Sequence, residues 1–175
     1  GTGALLVRRG VRVAPLLVGG DQERARRAGM EHTLGVLGFA AAAADATQSM
    51  ADEHARSRAL TDRIRAWAAA LRSGSGIAVV GAAPDASLPH IVCMTFSDVE
   101  PQPVLMGLDR AGVAVHSGSS CSSESLEPSP VLAAMGVDAQ RSLRVSVGWS
   151  SSDADVTRLL EALPRALSEL RSLAR

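Results

Sequence analysis

A chain of 175 residues with 46% apolar content can bury a core and suffices for one domain, or one and a fraction. Its 18 basic residues, all arginine, balance 18 acidic ones, so no chain-wide field draws it to nucleic acid or to an anionic membrane. Aromatics at 2% leave no base-stacking platform, and two cysteines, Cys93 and Cys121, are too few for a disulfide scaffold and fit a reducing, cytoplasmic setting.

In chain order, residues 4–8 are short and apolar, which predicts a strand. Residues 11–18 alternate in part and end at Gly19-Gly20. Residues 21–29 form a charged loop, in which Arg24, Arg26 and Arg27 either face solvent or meet an anion or a partner carboxylate. The opening does not read as a signal peptide, and the apolar run 40–44 is too short to span a bilayer. Residues 31–72 read as helix, in one piece or two, with Leu60, Ile64, Trp67 and Leu71 as a core stripe. His32 and His54 lie there without ligand-spaced partners, so no metal site is expected.

From residue 77 the pattern changes to short strands and helices. Strands are predicted at 77–80, 91–96, 113–115 and 143–147, with a helix at 104–111 closed by Gly112. Ser129 and Pro130 read as the N-cap and first residue of a short helix ended by Gly136. The Ser152–Asp155 pattern resembles a capping box, opening a last helix with Val156, Leu159, Leu160, Leu163, Leu167, Leu170 and Leu173 on its apolar face and a kink at Pro164. Together these predict an α/β chain with a small sheet packed against helices.

Three residues carry candidate chemistry. Cys121 stands among serines and glycines, open and mobile enough for a reactive thiol, and equally for an incidental surface thiol. Cys93, in an apolar strand, reads as a small buried hydrophobe. Arg144, in a small and otherwise apolar strand, requires either an anionic ligand or a protein carboxylate. There is no strong phosphate loop, zinc signature or serine-nucleophile elbow.

The stretch Ser117-Gly118-Ser119-Ser120-Cys121, followed by Leu126-Glu127-Pro128-Ser129, resembles the active-site loop of the cysteine desulfurases, class V, fold-type I pyridoxal-phosphate enzymes. Its Ser-Gly-Ser character points to the NifS/IscS-like group. Other segments resemble the family in the same order: residues 1–8, just after the cofactor lysine; Gly19-Gly20-Asp21-Gln22-Glu23-Arg24, like a Gly-Gly-Gly-Gln-Glu-Arg loop; and residues 89–96, 112–121 and 143–148.

The resemblance implies a chain that takes sulfur from L-cysteine as a persulfide on Cys121 and releases alanine, with Arg144 holding the substrate carboxylate. It implies the C-terminal portion of a homodimer, with the lysine that carries pyridoxal phosphate upstream of Gly1. Residues 1–31 would be a remnant of the large cofactor-binding domain, 32–76 a connecting helix region, and 77–175 the small α+β domain bearing the cysteine loop. Arg24, Gly29 and Met30 are the residues it offers for contact with a neighbouring subunit's cofactor, although Met30 stands where the family often has threonine. His90 and Cys93 replace common asparagines, and His116 a frequent serine. A sulfur-acceptor protein is the implied partner, for iron–sulfur cluster or thio-cofactor synthesis. Two readings of another class remain: a cofactor-free thiol relay or redox module, and a non-catalytic oligomerisation fragment. The absence of lysine from the chain favours both for the isolated polypeptide.

Overall fold

The computed structural model describes residues 1–71, 75–117 and 129–173. Contacts divide the chain into two units, Gly1–Ala51 and Asp52–Arg175, with the boundary inside a long helix.

In the first unit, residues 1–21 have no regular structure. The strand expected at 4–8 is not formed, and Leu5 and Leu6 are 79% and 97% exposed. A strand needs a ladder partner, and no described segment of the chain offers one there. The charged loop contains a single tight turn, α1 (Gln22–Ala25), whose Glu23, Arg24 and Ala25 all have positive φ, near 50–60°. The helix expected over residues 31–72, in one piece or two, is a single one, α2 (Thr33–Ala70), which begins in this unit.

The second unit holds the core. Strands β1 (Ile77–Val80), β2 (Ile91–Phe96), β3 (His116–Ser117) and β4 (Ser142–Ser146) form one sheet in the order β1-β2-β4-β3. The α/β class and the small sheet packed against helices are as expected, and all three pairings are antiparallel. Strand β3 begins three residues later than the predicted 113–115 and makes only two register pairs, with Arg144 and Leu143. Alternation sends Val92, Met94, Phe96, Leu143 and Val145 to one face of the sheet, where each is buried. Against that face pack Leu60, Ile64 and Ala68 of α2, Val104 and Leu108 of α3 (Pro101–Arg110), and Val156, Leu159, Leu163 and Leu167 of α5 (Asp153–Leu173). Leu71 and Leu173, expected in the core, lie at helix ends and are exposed.

The helix termini follow local chemistry. Ser129 caps α4 (Pro130–Ala134) by accepting from the Leu132 N–H. In the box at α5 the Ser152 N–H donates to Asp155 Oδ2 at 2.9 Å, and the Asp155 N–H donates back to Ser152 Oγ at 3.4 Å. Helix α5 continues through Pro164 to Leu173. Gly112, at φ +74°, lets Val113 N–H reach the Leu108 carbonyl and turns the chain from α3 toward β3. Gly107 is needed for a different reason, since a Cβ there would lie 3.0 Å from Ala166 Cβ where α3 meets α5.

Polar side chains of α2 fix the entry to β2. Thr61 Oγ1 donates to the Pro89 carbonyl at 2.7 Å, Arg58 to the Ser87 carbonyl at 2.7 Å and Arg65 to the Ile91 carbonyl at 2.9 Å. Thr61 is therefore buried and satisfied. Arg171 of α5 closes the other end, pairing with Asp98 at 2.7 Å and donating to the Ser75 carbonyl. The Asp98 carboxyl is held below its usual value chiefly by its hydrogen bonds from Arg171. Its stabilising contribution is therefore full above the ordinary carboxylate value of 3.8 and is lost as pH falls through the lower folded value. The stability gap between the parent chain and Arg171→Ala should accordingly be full near neutral pH and shrink as pH falls through that lower value; a gap that does not change with pH would remove this pair from the stability account.

Candidate functional site

The outer face of the sheet, away from the core, brings Arg144 into one row with two other residues, Cys93 and His116. In register, Cys93 of β2 faces Arg144 of β4, and Arg144 faces His116 of β3; Val80 of β1 completes the row beside Cys93. Directly opposed residues of antiparallel strands share a face. Arg144 thus sits between a thiol and an imidazole, with no acid in the row. Among the described residues no carboxylate pairs with it, and its Nε is buried without a hydrogen-bond partner. Leaving a guanidinium N–H dry and unpaired is costly, so a ligand acceptor at that point would be strongly favoured.

Cys93 corrects an expectation. It is half-buried on the outer face, not in the core. Burial pushes its thiol above the usual range, and the Arg144 charge pulls it partly back. The signal for this was available: with Val92, Met94 and Phe96 inward, period-2 alternation places residue 93 outward. Sequence reasoning also missed Arg58, Thr61 and Arg65, which seat β2 and so set the position of Cys93.

His116 is exposed at the start of the segment that leads to Cys121, with Nδ1 3.2 Å from the Ser117 carbonyl oxygen. Cys121 itself lies outside the described residues, as do its neighbours 118–128. In the first unit, Gly29 and Met30 line a small cavity of about 180 Å³ together with Gly1, Thr2, Glu23 and His32. Arg24, the other residue offered for a neighbouring subunit's cofactor, lies in the left-handed turn and is exposed. Among the described residues no cluster of His, Cys, Asp or Glu could hold a metal ion, and no helix is long and apolar enough to cross a membrane.

Arg144 is thus a strand-borne guanidinium with no acid paired to it among the described residues, next to the strand that leads into the Ser-Gly-Ser-Ser-Cys segment. The chain belongs to the class-V aminotransferase family, whose model matches residues 1–159. Among curated relatives it is 41% identical to a cysteine desulfurase of Gluconacetobacter diazotrophicus, over 99% of this chain and 44% of that protein. It is 37% identical to cysteine desulfurase IscS 1 of Archaeoglobus fulgidus, over 99% of this chain and 45% of that protein. Of solved structures, a NifS-like protein matches 94% of this chain and 41% of its own, with a TM-score of 0.75 at 26% identity. A NifS-like protein from Rickettsia africae matches 90% and 41%, with a TM-score of 0.71 at 25% identity. The chain therefore spans a little under half the length of the relatives it matches.

Family membership implies pyridoxal phosphate in the complete enzyme. The residues present do not fit that group by themselves: none of the 175 is lysine, so no side chain here can link to it covalently.

Proposed function

We propose that the chain is the C-terminal part of a cytoplasmic, homodimeric cysteine desulfurase, in which Arg144 binds the carboxylate of L-cysteine and Cys121 receives its sulfur. The observation that carries the reading is the unpartnered guanidinium of Arg144, one strand away from the segment leading to Cys121. The net transfer is L-cysteine plus the Cys121 thiol giving L-alanine plus a Cys121 persulfide. The substrate C–S bond breaks, the S–S bond on Cys121 forms, and the carbon keeps the electron pair and takes up a proton. The persulfide then passes to an acceptor protein, for iron–sulfur cluster or thio-cofactor synthesis.

In this reading residues 1–31 belong to the large domain, 32–76 connect, and 77–175 are the small domain. Arg24, Gly29 and Met30 face the neighbouring subunit's cofactor. The cofactor lysine comes from the N-terminal half, and the 175 residues alone are inactive. Borohydride reduction of a mixture with pyridoxal phosphate should leave no label on any side chain; a stable side-chain adduct would refute this. The lack of lysine also favours a second reading, a cofactor-free thiol relay. Persulfide formation from L-cysteine in a full-length, lysine-bearing enzyme, and none without that lysine, decides between the two.

Thiol reactivity offers a separate check. Cys93 is half-buried and its thiol is pushed up, so limited alkylation of the folded chain should label Cys121 first. Peptide mapping that finds Cys93 labelled preferentially would reverse the assignment of the carrier.

A further inference from the structure

We propose that Cys93 is a positioning residue for the carboxylate site at Arg144: while its thiol is neutral, the guanidinium facing it in register keeps its charge for a ligand carboxylate, and a thiolate at this position takes that charge up. The inference rests on the reading of Arg144 as a carboxylate-binding residue and adds what governs its availability.

Geometry carries it. Cys93 and Arg144 are direct partners across β2 and β4, so their side chains leave the sheet on the same face and as close neighbours. Arg144 Nε is buried and unpartnered, so any anion formed beside it has a donor waiting. Among the described residues the surroundings supply no competing acid. Val80 of β1 brings no charge, and His116 of β3 stands on the far side of Arg144. From α2, Arg65 reaches this strand only at the Ile91 carbonyl, and His90 precedes the strand. Asp138 and Arg141 line a groove with Val80 and Thr95 but are 3.6 Å from each other and paired. Among the described residues Arg144 is the one charge that acts on the thiol; burial opposes it and is the larger influence, so the neutral thiol is favoured. An acid at position 93 would close the site permanently, whereas a half-buried thiol leaves it open.

The test uses Cys121→Ser, which leaves Cys93 as the only thiol, and propionate, a monocarboxylate with no group that titrates in the alkaline range. Thiolate absorbance is followed against pH with and without saturating propionate, and binding is read from the Arg144 Nε–H resonance. Propionate is expected to raise the thiol midpoint by at least about half a pH unit, and by reciprocity its affinity should fall about threefold or more once the thiol ionises. Arg144→Gln should abolish the effect of propionate and raise the midpoint in its absence. Cys93→Ser should bind propionate within about twofold of the parent, and Cys93→Asp about tenfold or more weaker. Propionate that shifts the Arg144 signal but not the thiol midpoint would overturn the role of Cys93 and leave Arg144 as a carboxylate site. Equal losses in the serine and aspartate variants would mark a packing role and overturn it too. Propionate that leaves the Arg144 signal unmoved would remove the reading of Arg144 itself, and this inference with it.

Discussion

Arg144→Lys, in the full-length enzyme, is expected to raise the KM for L-cysteine by roughly thirty- to several-hundredfold, the equivalent of about 2–4 kcal/mol for a desolvated charge pair. The guanidinium presents a planar fork to a carboxylate, with Nε and a terminal nitrogen donating in parallel; an ammonium cannot reproduce it. The neighbours of Arg144 make substitution there unusually informative. No protein acid among the described residues would be stranded by its loss, so the penalty reports on the ligand. A persulfide placed chemically on Cys121 should still pass to an acceptor in the same variant. An unchanged KM together with loss of transfer from the preformed persulfide would move Arg144 from substrate binding to the acceptor surface.

The second large effect is on stability. Phe96 is 1% exposed and belongs to the cluster that joins β2 to α2, α3 and α5. Phe96→Ala should cost ~3–5 kcal/mol, because its cluster includes Ile64, Leu108 and Leu163, themselves fully buried, and a packed core of this kind cannot collapse far into a void. Denaturant unfolding measures it directly. A loss under about 1 kcal/mol would mean that the core relaxes freely, against the packing described.

What was legible in the chain was whatever local chemistry decides. The Ser129 cap, the box at Ser152 and Asp155, and the glycine stops at Gly112 and Gly136 all depend on residues within a few positions of each other, and all are found. The strand expected at 4–8 failed because a strand is completed by a neighbour, and local apolarity says nothing about whether one exists. The shift of β3 to His116–Ser117 has the same origin: its bounds are set by what β4 offers. Leu71 and Leu173 fit the helical period but lie where their helices run past the core.

For the site, Arg144 stood out because an arginine is costly in an apolar strand. Cys93 reads as a core residue from its apolar segment, but alternation with Val92, Met94 and Phe96 turns it outward. The cross-strand pairing of Cys93, Arg144 and His116 could not be seen at all, since the three come from separate strands, two of them far apart in the chain. Only register joins them.

In the proposed function, sulfur leaves L-cysteine and rests on Cys121 in an enzyme whose cofactor lysine lies outside these 175 residues. Incubating the full-length, lysine-bearing enzyme with radiosulfur-labelled L-cysteine, followed by non-reducing peptide mapping, tests it in one step. Label is expected on the peptide containing Cys121, released by a reducing thiol, with alanine formed in equal amount and no label in Cys121→Ser. Label on the Cys93 peptide, or alanine released with no protein-bound sulfur at all, would contradict it.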